Sequence, residues 1–184
     1  MIVEKRLHWY VLFVKTGYEY KIVNEITKSW KIDGLNPFIP MYDYIFRRDG
    51  KDNKETRVLF PGYVFIETNI QGIDFYNTVK QYIVKSNAIL SLLKYGYGYE
   101  DDHIYEMKEN EQQVLRSLYS DSYCVEMSKG FVVGEVITIT DGPLMGYESK
   151  IKKINRHRKE ALVQIDFMGT PRDISVGLEI MRKL

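Results

Sequence analysis

The chain has 184 residues, 45% hydrophobic and 28% charged, an ordinary globular composition that fits one large domain or two small ones, of which two are expected. Its net charge of +1 conceals an asymmetry, since residues 1–126 carry 16 Lys+Arg against 18 Asp+Glu while residues 127–184 carry 10 against 7. No apolar run approaches the roughly eighteen residues that cross a bilayer, and the opening MIVEKR lacks the apolar stretch of a secretory signal, so a cytoplasmic location with no membrane partner is expected.

In chain order, 8–14 (HWYVLFV) reads as a strand that Thr16 and Gly17 terminate. From 18 to 31 the residues Ile22, Val23, Ile26 and Trp30 recur at three- and four-residue spacing and predict a helix with one buried face. Asp33-Gly34, Pro37 and Pro40 punctuate the chain before 41–48 (MYDYIFRR) and 57–60, which flank the polar segment 49–56 and predict a long hairpin. Pro61-Gly62 breaks the chain ahead of 63–67 (YVFIE), a central strand by its aromatic and β-branched content. Helices are expected at 73–82 and 101–119, the latter carrying Ile104, Met107, Val114 and Leu118 on a rough stripe. Residues 120–130 have weak periodicity and are expected to be a linker between domains at 1–119 and 131–184. The C-terminal domain predicts five short strands, at 135–140, 149–155, 161–167, 170–175 and 179–182, and hence a small barrel. The β-branched run Val136 to Thr140 argues that it stays a barrel and does not adopt a helical form. The fold class is therefore α+β, followed by a small all-β unit.

Chemistry for catalysis is missing from the motifs. His8, His103 and His157 are far apart with no metal-ligand spacing, Cys124 is a lone thiol, and no phosphate-cradling glycine motif or nucleophile motif is present. No enzyme activity, cofactor or metal is expected. The informative feature is 150–159 (KIKKINRHRK), with six Lys+Arg, His157 and no acidic residue. Regular alternation would send Lys150, Lys152 and Ile154 to one face and Ile151 and Lys153 to the other. Such a cluster binds phosphates by charge neutralisation and counterion release, and arginines add stacking or bidentate contacts. Its bland alternative is a solvated turn whose lysines blunt a sheet edge. Among the aromatics Trp9, Tyr10, Tyr18, Phe60, Tyr63 and Phe65, alternation requires several to be core.

These residues resemble the NusG family over nearly the whole chain. The signals in the N-terminal domain are Trp9-Tyr10, Thr16-Gly17-Tyr18-Glu19, Phe38-x-Pro40 and Phe60-Pro61-Gly62-Tyr63-Val64-Phe65. In the C-terminal domain, Gly134-Glu135, Asp141-Gly142-Pro143 and Gly146 are similar to a KOW motif. The resemblance implies an N-terminal NGN domain, an antiparallel sheet with flanking helices, and an SH3-like KOW barrel. It further implies docking on the clamp helices of bacterial RNA polymerase through Tyr10, Tyr18, Phe60, Pro61, Tyr63 and Phe65 or their supports, with Trp9 in the core. The basic run departs from the housekeeping pattern and is similar to the specialised LoaP group, antiterminators that recognise a nascent RNA hairpin. RNA contacts are then expected from Lys150, Lys152, Lys153, Arg156, His157, Arg158, Lys159 and Arg172, and the chain is expected to be a monomer. Two alternatives are a general elongation factor whose barrel recruits proteins such as Rho or the ribosome, and a ribosome-associated RNA binder.

Overall fold

The computed structural model describes residues 7–96 and 104–181. The elements run β1 (His8–Val14), α1 (Glu19–Ser29), β2 (Leu35–Phe38), β3 (Met41–Arg48), β4 (Lys51–Val58), β5 (Tyr63–Thr68), α2 (Gly72–Lys85), β6 (Ile89–Leu92) and α3 (Glu109–Leu118). They continue as β7 (Cys124–Val125), β8 (Ser128–Val133), β9 (Val136–Asp141), a 3-10 turn (Glu148–Lys150), β10 (Ile151–Asn155), β11 (Glu160–Phe167) and β12 (Thr170–Ile180). Two compact units result: the chain through Ile39 with Phe60–Gln112, and Pro40–Leu59 with Gln113 onward. The architecture is α+β.

The first unit is a four-stranded antiparallel sheet in the order β2-β5-β1-β6. Tyr10, Leu12 and Val14 of β1 and Val64 and Ile66 of β5 share a core with Ile22 and Ile26 of α1, Trp30 just beyond it, and Phe75 and Val79 of α2. Each such side chain contributes about 1.5–3 kcal/mol by leaving water. The opposite face is also filled, by Trp9, Phe38, Phe65 and Phe60, whose rings meet at 5.2–6.1 Å. Burial on both faces explains why HWYVLFV is continuously apolar instead of alternating. β2 was not anticipated because it contains Pro37; it is an edge strand, where a missing N–H is tolerated. β6, also unanticipated, is only four residues long. The helix expected at 101–119 begins at Glu109. Ile104 and Met107 precede it, and Met107 N–H donates to the Trp9 carbonyl at 2.8 Å, so this stretch follows β1 instead of coiling. Residues 101–103, including His103, lie outside the described residues.

In the second unit, the segment 49–56 expected as the polar centre of a hairpin is mostly strand. Asp49 and Gly50 alone make the turn, both at positive φ (53° and 75°), the geometry for which Asp-Gly is suited. β4 is exposed from Lys51 through Arg57, so no buried face marked it as a strand in the sequence. The stretch 120–130, expected as a linker, contains β7, which pairs in parallel with β3, and the start of β8. The barrel sheet has five strands in the order β10-β11-β12-β8-β9. Glu148 in the 3-10 turn accepts the Ile139 N–H at 3.3 Å, and the turn packs on both β9 and β11. It thereby links opposite sides of the sheet, as a small barrel needs.

The count of five strands agrees with expectation but the set differs. Ser128–Val133 is an additional strand, and the segments 170–175 and 179–182 merge into β12; Arg182 lies outside the described residues. Gly177 sits inside β12, where the Asp43 carbonyl approaches to 2.6 Å of where a Cβ would stand, with Met127 Sδ closer still. Cys124 is buried, its thiol pushed up to about 11 by burial and by nearby Asp43, and it is an inert structural residue. Gly177→Ala is expected to destabilise the chain by about 1–3 kcal/mol through overpacking. A lowered urea midpoint at unchanged m-value is the supporting result, and an unchanged midpoint refutes the close-approach account.

Candidate functional site

Two motifs far apart in sequence meet at the end of the first-unit sheet. Glu19, buried at the start of α1, accepts the Gly62 N–H at 2.7 Å, and the Gly62 carbonyl accepts Val14 N–H at 2.8 Å. Gly62 has φ 86°, and a Cβ there would lie 3.2 Å from Thr16 Oγ1, so both its conformation and its surroundings select glycine. Tyr63 N–H closes the turn on the Phe60 carbonyl at 3.1 Å. Glu19 thus ties Thr16-Gly17-Tyr18-Glu19 to Phe60-Pro61-Gly62-Tyr63.

The six aromatic and proline candidates divide by access. Tyr10 is fully buried, stacked on Phe75 at 3.8 Å, and donates its hydroxyl to the Ile70 carbonyl at 3.0 Å. Burial, with the charge of Glu106 adding to it, raises its phenol pKa. Phe65 and Phe60 are buried too. These three support the surface and do not form it. Pro61 is exposed, Tyr18 is 42% exposed, and Tyr63 is half-buried with its ring 5.3 Å from that of Phe13. Phe13, overlooked in the sequence, pairs directly with Tyr63 across β1 and β5; its register position was the available signal. Trp9 is core, and its Nε1 donates to Glu67 at 2.7 Å. His8 is also buried, hydrogen-bonded to Glu106 at 2.5 Å.

The basic run lies on β10 and the turn into β11. The β10–β11 register shifts between Ile151 and Lys153, placing a bulge at Lys152. The bulge overturns the expected alternation: Ile151 and Ile154 both face the packed side, and Lys152 and Lys153 are both exposed. Asn155 Oδ1 accepts the Arg158 N–H at 3.0 Å and fixes the turn that displays Arg156, His157 and Arg158. Among the described residues no ion pair engages Lys150, Lys152, Lys153, Arg156 or Arg158. Lys159 differs, because it is bound to Asp52 at 2.6 Å and Glu179 at 2.9 Å. Arg172 is exposed, but its cross-strand partner is the core-facing Ile165, whereas Lys153 pairs with Leu162 on the other face of β11. The register therefore does not bring Arg172 onto the face of Lys153.

The first unit is thus a sheet with two packed helices, and the second carries a small β-barrel. The family model described as "Transcription termination factor nusG" matches residues 7–118, and the chain belongs to the NusG family. It is similar to the transcription termination/antitermination proteins NusG of Rickettsia typhi, with 24% identity over 95% of this chain and 89% of the relative. It is likewise similar to those of Vibrio cholerae, at 21% over 92% of each, and of Pseudomonas aeruginosa, at 19% over 96% and 98%. Among the described residues no helix is long and apolar enough to cross a membrane.

The Glu19 contact predicts a graded response. Glu19→Ala leaves the buried Gly62 N–H without its acceptor and is expected to cost about 1–3 kcal/mol, whereas Glu19→Gln retains a carbonyl oxygen and costs less. Equal losses for the two variants in chemical denaturation would show that the hydrogen bond is not what holds the turn.

Proposed function

We propose that the chain is an operon-specific processive antiterminator that holds bacterial RNA polymerase through its NGN domain, residues 1–119, and a nascent RNA hairpin through its KOW domain, residues 131–184. The observation that carries this reading is the bulged, Asn155-capped β10–β11 edge, which directs Lys152, Lys153, Arg156 and Arg158 to solvent with no acidic partner among the described residues. Phosphates satisfy this charge by releasing counterions, and the planar arginines add contacts to bases in a loop.

The polymerase clamp helices are assigned to the surface of Tyr18, Pro61 and Tyr63, with Phe13 added, above the buried support of Tyr10, Phe60 and Phe65. An exposed rim over a rigid aromatic base suits a protein partner, because aromatic anchors lose little entropy on binding. RNA binding raises the local concentration of the factor at one transcription complex, making a modest affinity for polymerase selective for one operon. The chain acts as a cytoplasmic monomer, without catalysis or cofactor. Its alignment with general NusG proteins along 89–98% of their lengths favours one other reading, a general elongation factor whose barrel recruits a protein.

Arg156→Ala with Arg158→Ala is expected to weaken binding of the full chain to the leader-RNA hairpin of its neighbouring operon by about tenfold or more, leaving polymerase binding intact. Tyr63→Ala is expected to do the reverse. Native and scrambled hairpins are compared by anisotropy over a salt series, and polymerase by co-purification. Unchanged RNA affinity in the arginine variant, or equal binding to both RNAs, would select the adaptor reading.

A further inference from the structure

Among the described residues Lys159 is the one cation of the basic run that is committed to carboxylates, and those carboxylates come from different places. Asp52 belongs to the β3–β4 hairpin and Glu179 to β12. The Lys159 backbone is fixed as well: its φ is 51°, and its carbonyl accepts the Leu178 N–H at 2.9 Å. The hydrogen bond to Asp52 first, and that to Glu179 second, raise the lysine pKa, and the same contact with Lys159 lowers that of Asp52. A further link joins the hairpin base to the barrel, since Tyr42 donates its hydroxyl to Glu160 at 3.2 Å.

These contacts hold the hairpin tip beside the 155–159 turn. Asp52 is the cross-strand partner of Arg47, and Arg48 pairs with Lys51 at the next position. All three basic residues are exposed. Arg47 reaches the Gly50 carbonyl at 3.4 Å, and Arg48 makes only a loose 3.8 Å pair with an Asp49 that is itself solvated, a type of contact worth little. Lys51 has no ion pair among the described residues.

We propose that the hairpin tip and the barrel turn form one RNA-phosphate surface, in which Arg47, Arg48 and Lys51 extend the grip of Arg156 and Arg158 while Lys159 is the positioning residue that joins the two loops through Asp52 and Glu179. The inference rests on the RNA reading above and deepens it. A stem-loop presents phosphates on two strands, and two adjacent basic loops follow both strands where a single turn follows one. Lys159 faces the carboxylates, so its role is to set the spacing of the loops.

The test uses the full chain and the leader-RNA hairpin of the neighbouring operon, with anisotropy over a salt series. Replacing Arg47, Arg48 and Lys51 together by Ala is expected to lower affinity about tenfold and to reduce the slope of log K against log salt by roughly 2. Lys159→Met is expected to weaken binding and to shrink the effect of the triple substitution made in its background, a non-additivity that loss of a free-standing phosphate contact does not produce. Lys159→Arg is expected to restore most of the affinity. Wild-type affinity and slope in the triple variant, with binding lost on Arg156→Ala and Arg158→Ala, overturns the composite surface and leaves the RNA reading standing. Unchanged binding in both sets overturns both. A triple variant that loses polymerase but keeps its RNA affinity assigns the hairpin tip to a protein partner and also overturns the proposal.

Discussion

The first unit depends on a single buried acceptor. Glu19 is a carboxylate taken out of water, and a backbone N–H at 2.7 Å compensates part of that cost. The consequence is geometric. The start of α1, the end of β1 and the turn before β5 are fixed at one point, because Gly62 accepts from Val14 while it donates to Glu19. The positions of Tyr18, Pro61 and Tyr63 follow from that junction. The sheet beneath them is filled on both faces, which gives the exposed residues a support with little freedom to yield.

The second unit solves a different problem, the display of like charges on a barrel of short strands. A regular strand at 151–155 would have sent one of two adjacent lysines into the packed side. The bulge at Lys152 removes that conflict, keeping Ile151 and Ile154 partly buried while both lysines face solvent. Asn155 then fixes the turn by accepting the Arg158 backbone N–H on its own side chain, a local device that makes no use of the guanidinium groups.

Much of this was legible in the sequence, and the exceptions have physical causes. β1, α1 and β5 were plain because their periodicity or β-branched content was strong over seven, eleven and six residues. β4 was hidden because its residues from Lys51 to Arg57 face solvent, and β2 because of Pro37. β12 was expected as two strands, 170–175 and 179–182, whereas it runs through Gly177, where a close approach of the Asp43 backbone requires glycine within the strand. For the site, the basic residues could be named from composition alone, yet their facing could not, since a bulge is a two-strand property that one strand's sequence does not encode. Likewise Tyr10 and Phe65 belong to the motifs that mark the surface but lie beneath it, and only the cross-strand register brought Phe13 to the side of Tyr63.

Crowding cations into one turn raises the energy of the folded barrel, and the distribution of carboxylates shows how the cost is limited. Charges within about 8–10 Å are not fully screened at physiological salt. Asp52 and Glu179 neutralise Lys159, the member of the run that is least exposed, and Glu160 is engaged by the Tyr42 hydroxyl. These carboxylates thus help to hold the hairpin and the barrel together, and among the described residues no ion pair engages Arg156 or Arg158. Neutralisation of Arg156 and Arg158 is left to counterions, which a polyanion displaces with a gain in entropy. An arrangement of this kind couples architecture to affinity: the same acidic residues that stabilise the turn leave its outer surface electropositive.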